Sequence, residues 1–189
     1  MKVKLVGVRA AFLEALFEAQ EFKAGDGRPR FSATFFVTKG DANHKALSEA
    51  IKQVAAEAWK GKADAILDEI KGNSNKFCLS NGDTKNYDSA AGCMVLGAHR
   101  KKSDGRPGIY NKDKSPVTES DGVIYSGCYV NATVDIWAQT KNEGAPAIRC
   151  GLIGIQFDHD GDAFSGASTP DVDDFDDLSS GSSAPSDLV

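Results

Sequence analysis

From Ile124 to Ala138 the chain reads IYSGCYVNATVDIWA, and no other stretch limits its fold as tightly. Ile124, Ser126, Cys128, Val130, Ala132, Val134 and Ile136 occupy alternate positions, and all are small or β-branched. Alternation of this kind predicts a strand with one buried face. The opposite face carries Tyr125, Gly127, Tyr129, Asn131, Thr133, Asp135 and Trp137. Three large rings on the face that ought to meet water ask for a role outside the core.

The remaining elements agree with a sheet. Lys2 to Val8 alternates, and RFSATFFVTK (30–39) sets Phe31, Ala33, Phe35 and Val37 on one side. Shorter strands are predicted over 77–80, 93–98 and 147–157, separated by Gly, Asn and Asp clusters. One stretch is helical: Asp41 can cap it, and Leu47, Ile51, Val54, Ala55, Ala58 and Trp59 form an apolar stripe that places Trp59 in the core. A shorter helix over 63–71 is closed by Gly72. Phe12, Phe17 and Phe22 recur every five residues, which suits neither a helix face nor a strand face, so a short helix and loop over the core is expected there. The fold class is mainly β with inserted helices (α+β), a closed or nearly closed antiparallel barrel. Residues 1–164 form the domain, with the helical insertion at about 41–72, and 165–189 form a disordered tail low in complexity.

Composition removes several function classes. No run approaches the ~20 apolar residues of a membrane span. MKVKLVGVRA reads as a strand rather than a leader, so a cytoplasmic protein is expected. Cys78, Cys93, Cys128 and Cys150 contain no CxxC pair and read as buried thiols. His44, His99 and His159 are scattered, and no phosphate-cradling glycine loop is present. In DHDGD (158–162) the glycine is fourth rather than sixth, and Thr169 stands where a calcium loop needs its bidentate Glu. Neither a metal nor a cofactor is expected. Asp158, Asp160 and Asp162 leave a metal-dependent nuclease as a rival reading, and a protein-interaction or assembly module is a second.

The net charge of −5 conceals a segregation. Nine aspartates and no lysine or arginine fall between Asp158 and Val189, leaving 22 basic and 18 acidic residues before them, a net of +4. Between Ala98 and Pro116 lie Arg100, Lys101, Lys102, Arg106, Lys112 and Lys114, with Tyr110 among them and only Asp104 and Asp113 against them. Cations neutralise phosphates, and rings stack on bases without selecting among them, so this loop suits a single-strand binder. Beside it, Tyr125, Tyr129 and Trp137 form a candidate stacking platform, and Gly127 would let a base approach the backbone. Packing of these rings beneath the long helix, or in a homodimer contact, is the alternative. Arg28 and Arg30 in GDGRPR are further candidate cations.

RFSATFFVTK, AAEAWKGKA, KSPVTESDGVIYSGCYVNATVDIWAQ, GLIGIQFDHDGDAF and DDFDDL together resemble the tailed-phage single-stranded DNA-binding proteins with an OB-fold core, over about residues 3–178. The resemblance implies an OB-type barrel with a helical insertion, and sequence-tolerant binding of single-stranded DNA in phage replication and recombination within the bacterial host cell. It implies no enzymatic activity. SGCYVNA and the basic loop before it would line the groove. Asp173, Asp174, Phe175, Asp176 and Asp177 would act as the acidic tail of such proteins, competing with DNA or recruiting replication or recombination partners. Here SSGSSAPSDLV follows that block, so Phe175 is not terminal.

Overall fold

The alternating stretch does build the central strand, β6, but it spans Tyr129–Gln139 and so begins five residues later than expected. Val130, Ala132, Val134 and Ile136 point inward and are at most 1% exposed. Ile124 to Cys128 is instead a turn, because Gly127 takes φ +114 and a Cβ there would lie 2.2 Å from the Asp162 carbonyl oxygen. Its N–H donates to the Ala10 carbonyl at 2.8 Å, and the Ala10 N–H donates to the Cys128 carbonyl at 2.9 Å. The turn therefore keeps Ile124 and Cys128 buried without being a strand. The structure, a computed structural model, describes residues 1–164. The tail expected over 165–189, with Asp173, Asp174, Phe175, Asp176 and Asp177, lies outside the described residues.

The other elements are β1 (Lys2–Ala11), β2 (Arg30–Thr38), α1 (Ala42–Trp59), α2 (Ala63–Ile70), β3 (Leu79–Asn81), β4 (Cys93–Lys101), β5 (Gly108–Tyr110) and β7 (Ala147–His159). β1 pairs antiparallel with both β2 and β6, and its register against β6 shifts between Leu5 and Val8. Gly7 takes φ +60 at this bulge. The consequence is a change of phase: Leu5 and Val8, three apart, both point inward, so Arg9 points out. Asparagine side chains hold the bulged backbone. Asn43 of α1 accepts from the Val6 N–H at 2.9 Å and donates to its carbonyl at 3.0 Å, and Asn131 accepts from the Gly7 N–H at 3.1 Å.

β2 pairs antiparallel with β4, and β6 with β7. The ring closes where β4 meets β7 in parallel at His99 and Gly151. Residues 76–78 fill the rest of that seam. The Ile148 N–H donates to the Lys76 carbonyl (2.8 Å), Cys78 N–H to Ile148 (3.1 Å), and Gly97 N–H to Cys78 (3.0 Å). The order β1-β2-β4-β7-β6 is a five-strand OB-type barrel, as expected, with short β3 and β5 on the edges of β4 and β7. The Asp41 carboxylate caps α1 by accepting from the His44 N–H at 2.7 Å. Leu47, Ile51, Val54 and Ile70 of the helices join Leu5, Phe35, Leu96, Ile148 and Leu152 of the barrel in one apolar core, and Trp59 packs against it. No helix among the described residues is long and apolar enough to cross a membrane.

Two expectations need correction. The basic stretch 98–116 is not one loop, because Ala98 to Lys101 continue β4 and Ile109, 5% exposed, anchors β5 beside β7. The stretch after β1 forms turns rather than a helix: Leu13 and Leu16 are buried, while Phe12 and Phe22 remain exposed.

Desolvation pushes the Cys78 thiol up to about 12, and it also raises Cys93, Cys128 and Cys150. Since the thiolate is the reacting species, a thiol reagent at pH 8 should label the native protein slowly and all four cysteines only after denaturation. Fast native labelling of all four would contradict the packing. Asn43→Ala should lower the unfolding free energy by about 1–2 kcal/mol, seen as a lower urea midpoint at unchanged slope. Val130→Asp should abolish cooperative unfolding by burying an unpaired carboxylate. An unaltered midpoint for Asn43→Ala would mean that the bulge does not need its asparagine.

Candidate nucleic-acid interface

Because the bulge turns Arg9 outward, one row of register partners crosses five strands on the outside of the barrel. It runs Val95, Phe36, Arg9, Tyr129, His159, on β4, β2, β1, β6 and β7. Tyr129 and His159 stack with ring centroids 4.3 Å apart and 10° between planes. The Arg9 guanidinium lies 5.7 Å from the Tyr129 centroid and 4.2 Å from that of Phe164. It also donates to the carbonyls of Gly127 (3.1 Å) and Asp162 (2.6 Å), so it binds the turn and the 160s segment to the sheet. Phe36 is covered by Phe164 and Tyr87 at 5.4 and 6.0 Å, and Tyr87 meets Phe12 edge-on at 5.3 Å. Phe12 is 46% exposed and held at φ +52, a left-handed conformation that costs a non-glycine residue about 1–2 kcal/mol. Strain of this kind gathers at functional sites.

From this row the outer face of β2 and β4 runs through Thr34 beside Gly97, Ser32 beside His99, and Arg30 beside Lys101. Phe36 and Arg30 are six residues apart, about 20 Å of strand. The floor between them is small and polar. Desolvation, with the charges of Arg30 and Arg149, lowers the pKa of His99. At the far end Lys102 N–H donates to the Pro29 carbonyl at 3.1 Å, which brings the GDGRPR turn against the end of β4. Arg28, Lys101, Lys102 and Arg106 are exposed and form no ion pair among the described residues. Arg30 lies 3.6 Å from Asp26 and 5.7 Å from the ring of Phe22, which is 75% exposed; Arg106 lies 5.3 Å from that of Phe17.

The other sequence candidates stand elsewhere. Tyr125 is not on the strand: its hydroxyl donates to the Gly161 carbonyl (2.9 Å), with Asp160 Oδ1 at 3.0 Å, and accepts from the Gly161 N–H (3.1 Å). Desolvation raises its pKa, and its ring packs against the core. The Arg100 guanidinium donates to the carbonyls of Asp104 (2.6 Å), Gly105 (2.7 Å) and Leu152 (3.5 Å), holding the turn after β4. Trp137 shares the outer side of β6 with Tyr129, yet eight residues, about 26 Å, separate them. It sits opposite Arg149 and near the end of α1, 40% exposed. Tyr110 and Lys114 border a different groove, across β6, β7 and β5, and Lys112 lies 5.6 Å from the Phe157 ring. The three aspartates of DHDGD diverge, Asp158 to His159 (2.8 Å), Asp160 to Tyr125, and Asp162 to Arg9 through its carbonyl. Among the described residues no three His, Cys, Asp or Glu side chains converge as a metal site.

Arg9, Phe12, Phe22, Phe36 and Tyr87 are the members that sequence reasoning missed. The five-residue spacing of Phe12, Phe17 and Phe22 was the available signal, since it fits no single face: Phe17 packs against the core while Phe12 and Phe22 stay exposed.

The chain has relatives among phage proteins. It is 41% identical over 181 residues to protein p50 of Acyrthosiphon pisum secondary endosymbiont phage 1, covering 95% of each. The single-stranded DNA-binding protein of bacteriophage Enc34 in complex with ssDNA superposes with a TM-score of 0.66 at 21% identity, over 87% of this chain and 89% of that one. Its C-terminal truncation gives 0.67 at 20%, over 86% and 88%. The family model described as Enterobacter phage Enc34, ssDNA-binding protein matches residues 1–187, and the chain belongs to that family.

Proposed function

We propose that this chain binds single-stranded DNA, without selecting its sequence, in the trough over β2 and β4. The observation that carries the proposal is the register. It lines up unpaired cations, a small floor and an aromatic row on one face about 20 Å long. OB barrels bind oligonucleotides on the face of their second and third strands and in the loop between the first two. Here those are β2, β4 and residues 12–29, which carry Phe12, Phe22 and Arg28. Arg28, Arg30, Lys101, Lys102 and Arg106 neutralise phosphates. Phe22 beside Arg30, and Tyr129 on its His159 stack, offer rings to bases. The name of the Enc34 relative supports the ligand. The protein acts by occupancy rather than chemistry, in the replication and recombination of phage DNA in the host cytoplasm. The acidic block around Phe175 competes with DNA for the cations and, when displaced, recruits partners.

A salt titration comparing single-stranded with duplex DNA of equal length tests the reading. Single strands should bind more tightly, because stacking needs unpaired bases, and log affinity should fall with log salt by about 0.7 per phosphate contacted. Equal affinity for duplex would overturn it. Tyr129→Ala should cost about 1–3 kcal/mol of binding while the fold survives, checked by the same titration and by circular dichroism. Lys101→Ala with Lys102→Ala should make the salt slope shallower by about 1.4, two phosphates at 0.7 each. Deleting 166–189 should tighten binding, most at low salt where screening is weak. Unchanged affinity at every ionic strength would remove the tail from competition.

A further inference from the structure

We propose that a second segment of single-stranded DNA runs along the groove across β1, β6, β7 and β5, so that the strand passes around the barrel rather than across one face. The proposal rests on the single-strand reading of the β2–β4 trough and extends its footprint.

Two more register rows build this groove. Lys4, Thr133, Gly154 and Gly108 form one, and Asn131, Gln156 and Tyr110 form the other. The first has a low floor for a steric reason, since a Cβ on Gly154 would lie 2.9 Å from the Gly108 carbonyl oxygen. The groove encloses about 660 Å³, within the size range of a small-molecule site. Tyr110, 43% exposed, leans over Gly108, where an added Cβ would come within 2.6 Å of the ring. A ring held at a groove rim in this way is a stacking surface that needs little ordering to act.

The polar atoms that remain open suit a nucleic acid. Asn131 must turn its Oδ1 to the Gly7 N–H, which leaves its Nδ2 as a donor to the groove. Gln156 donates through Nε2 to the carbonyls of Asn111 and Lys112, which leaves Oε1 as an acceptor. Lys4 and Lys114 form no ion pair among the described residues, and no Asp or Glu lines the groove. Asp113, the neighbour of Lys114, is engaged by the Ser115 N–H and hydroxyl instead. That charge pattern selects an anionic ligand. Continuity selects a strand: Asn131 and Gln156 follow Tyr129 and His159 on β6 and β7, only about 7 Å further along, so a chain leaving the aromatic row arrives in this groove.

The test uses the full chain carrying Lys4→Ala, Tyr110→Ala and Lys114→Ala, with oligothymidines of about four and about thirty nucleotides, the shorter at the lower end of the 4–16 nucleotides that one OB fold covers. The short probe, which fills the trough alone, should bind as tightly as to the parent protein. The long probe should lose roughly tenfold or more in affinity. Its salt slope should become shallower by about 1.4 for the two lysines. Equal losses on both probes would assign these residues to the trough and overturn the proposal, as would an unaltered long-probe affinity. Lys101→Ala with Lys102→Ala separates the two readings, because it should weaken both lengths. If it weakens neither, the trough fails while the difference between long and short probes still judges the second groove.

Discussion

The change of phase in β1 is the constraint on which the rest of the molecule depends. A strand that kept strict alternation from Leu5 would place Val8 outside and Arg9 in the core. Instead the extra residue at Val6–Gly7 resets the pattern, and β1 can pair with β6 from Lys2 to Arg9 and with β2 from Arg9 to Ala11. Barrel closure and the outer aromatic row thus share one cause. The backbone groups freed by the bulge are held by Asn43 and Asn131, one from the helix and one from the neighbouring strand. An asparagine on α1 is in this way coupled to the geometry of the proposed binding face, which it does not touch.

The barrel keeps its two tasks on separate sides of the same strands. Inside, one apolar cluster joins all five barrel strands with α1 and α2, and its side chains carry the folding free energy at about 1.5–3 kcal/mol for each large residue fully buried. Outside, the residues proposed to meet ligand are mostly exposed cations, rings and small polar groups whose removal barely alters that burial. Binding and folding can therefore be altered independently along β2, β4 and β6. The exceptions are the residues that hold the turns. Arg9, Arg100 and Tyr125 each have a charged or hydroxyl group of the kind DNA attracts, and each directs it to backbone carbonyls. In those three positions the polar group orders the rim of the site instead of reaching into the solvent.

Much of this was legible beforehand, and membership of the phage single-strand binder family follows from both the residues and the comparisons. Period 2 determined which side chains of 129–136 are inside; in the unforeseen turn Ile124 and Cys128 kept that phase, while Ser126, expected inside, is half-buried and Tyr125, expected outside, packs against the core. The Asp41 cap, the apolar stripe of α1 and the strand 30–38 were equally local, because caps and periodicities are properties of neighbouring residues. Charge segregation was legible for the same reason. What the tertiary structure alone decided is which outward residues share a surface. Register between strands far apart in sequence sets Arg30 beside Lys101 and Tyr129 beside Arg9, while it parts Trp137 from Tyr129 and sends Tyr110 and Lys114 to another groove. Alternation says inside or outside, but it carries no information on the partner across the ladder. That partner is chosen by a bulge at Gly7 and a turn at Gly127, each of which exists only once distant strands have met.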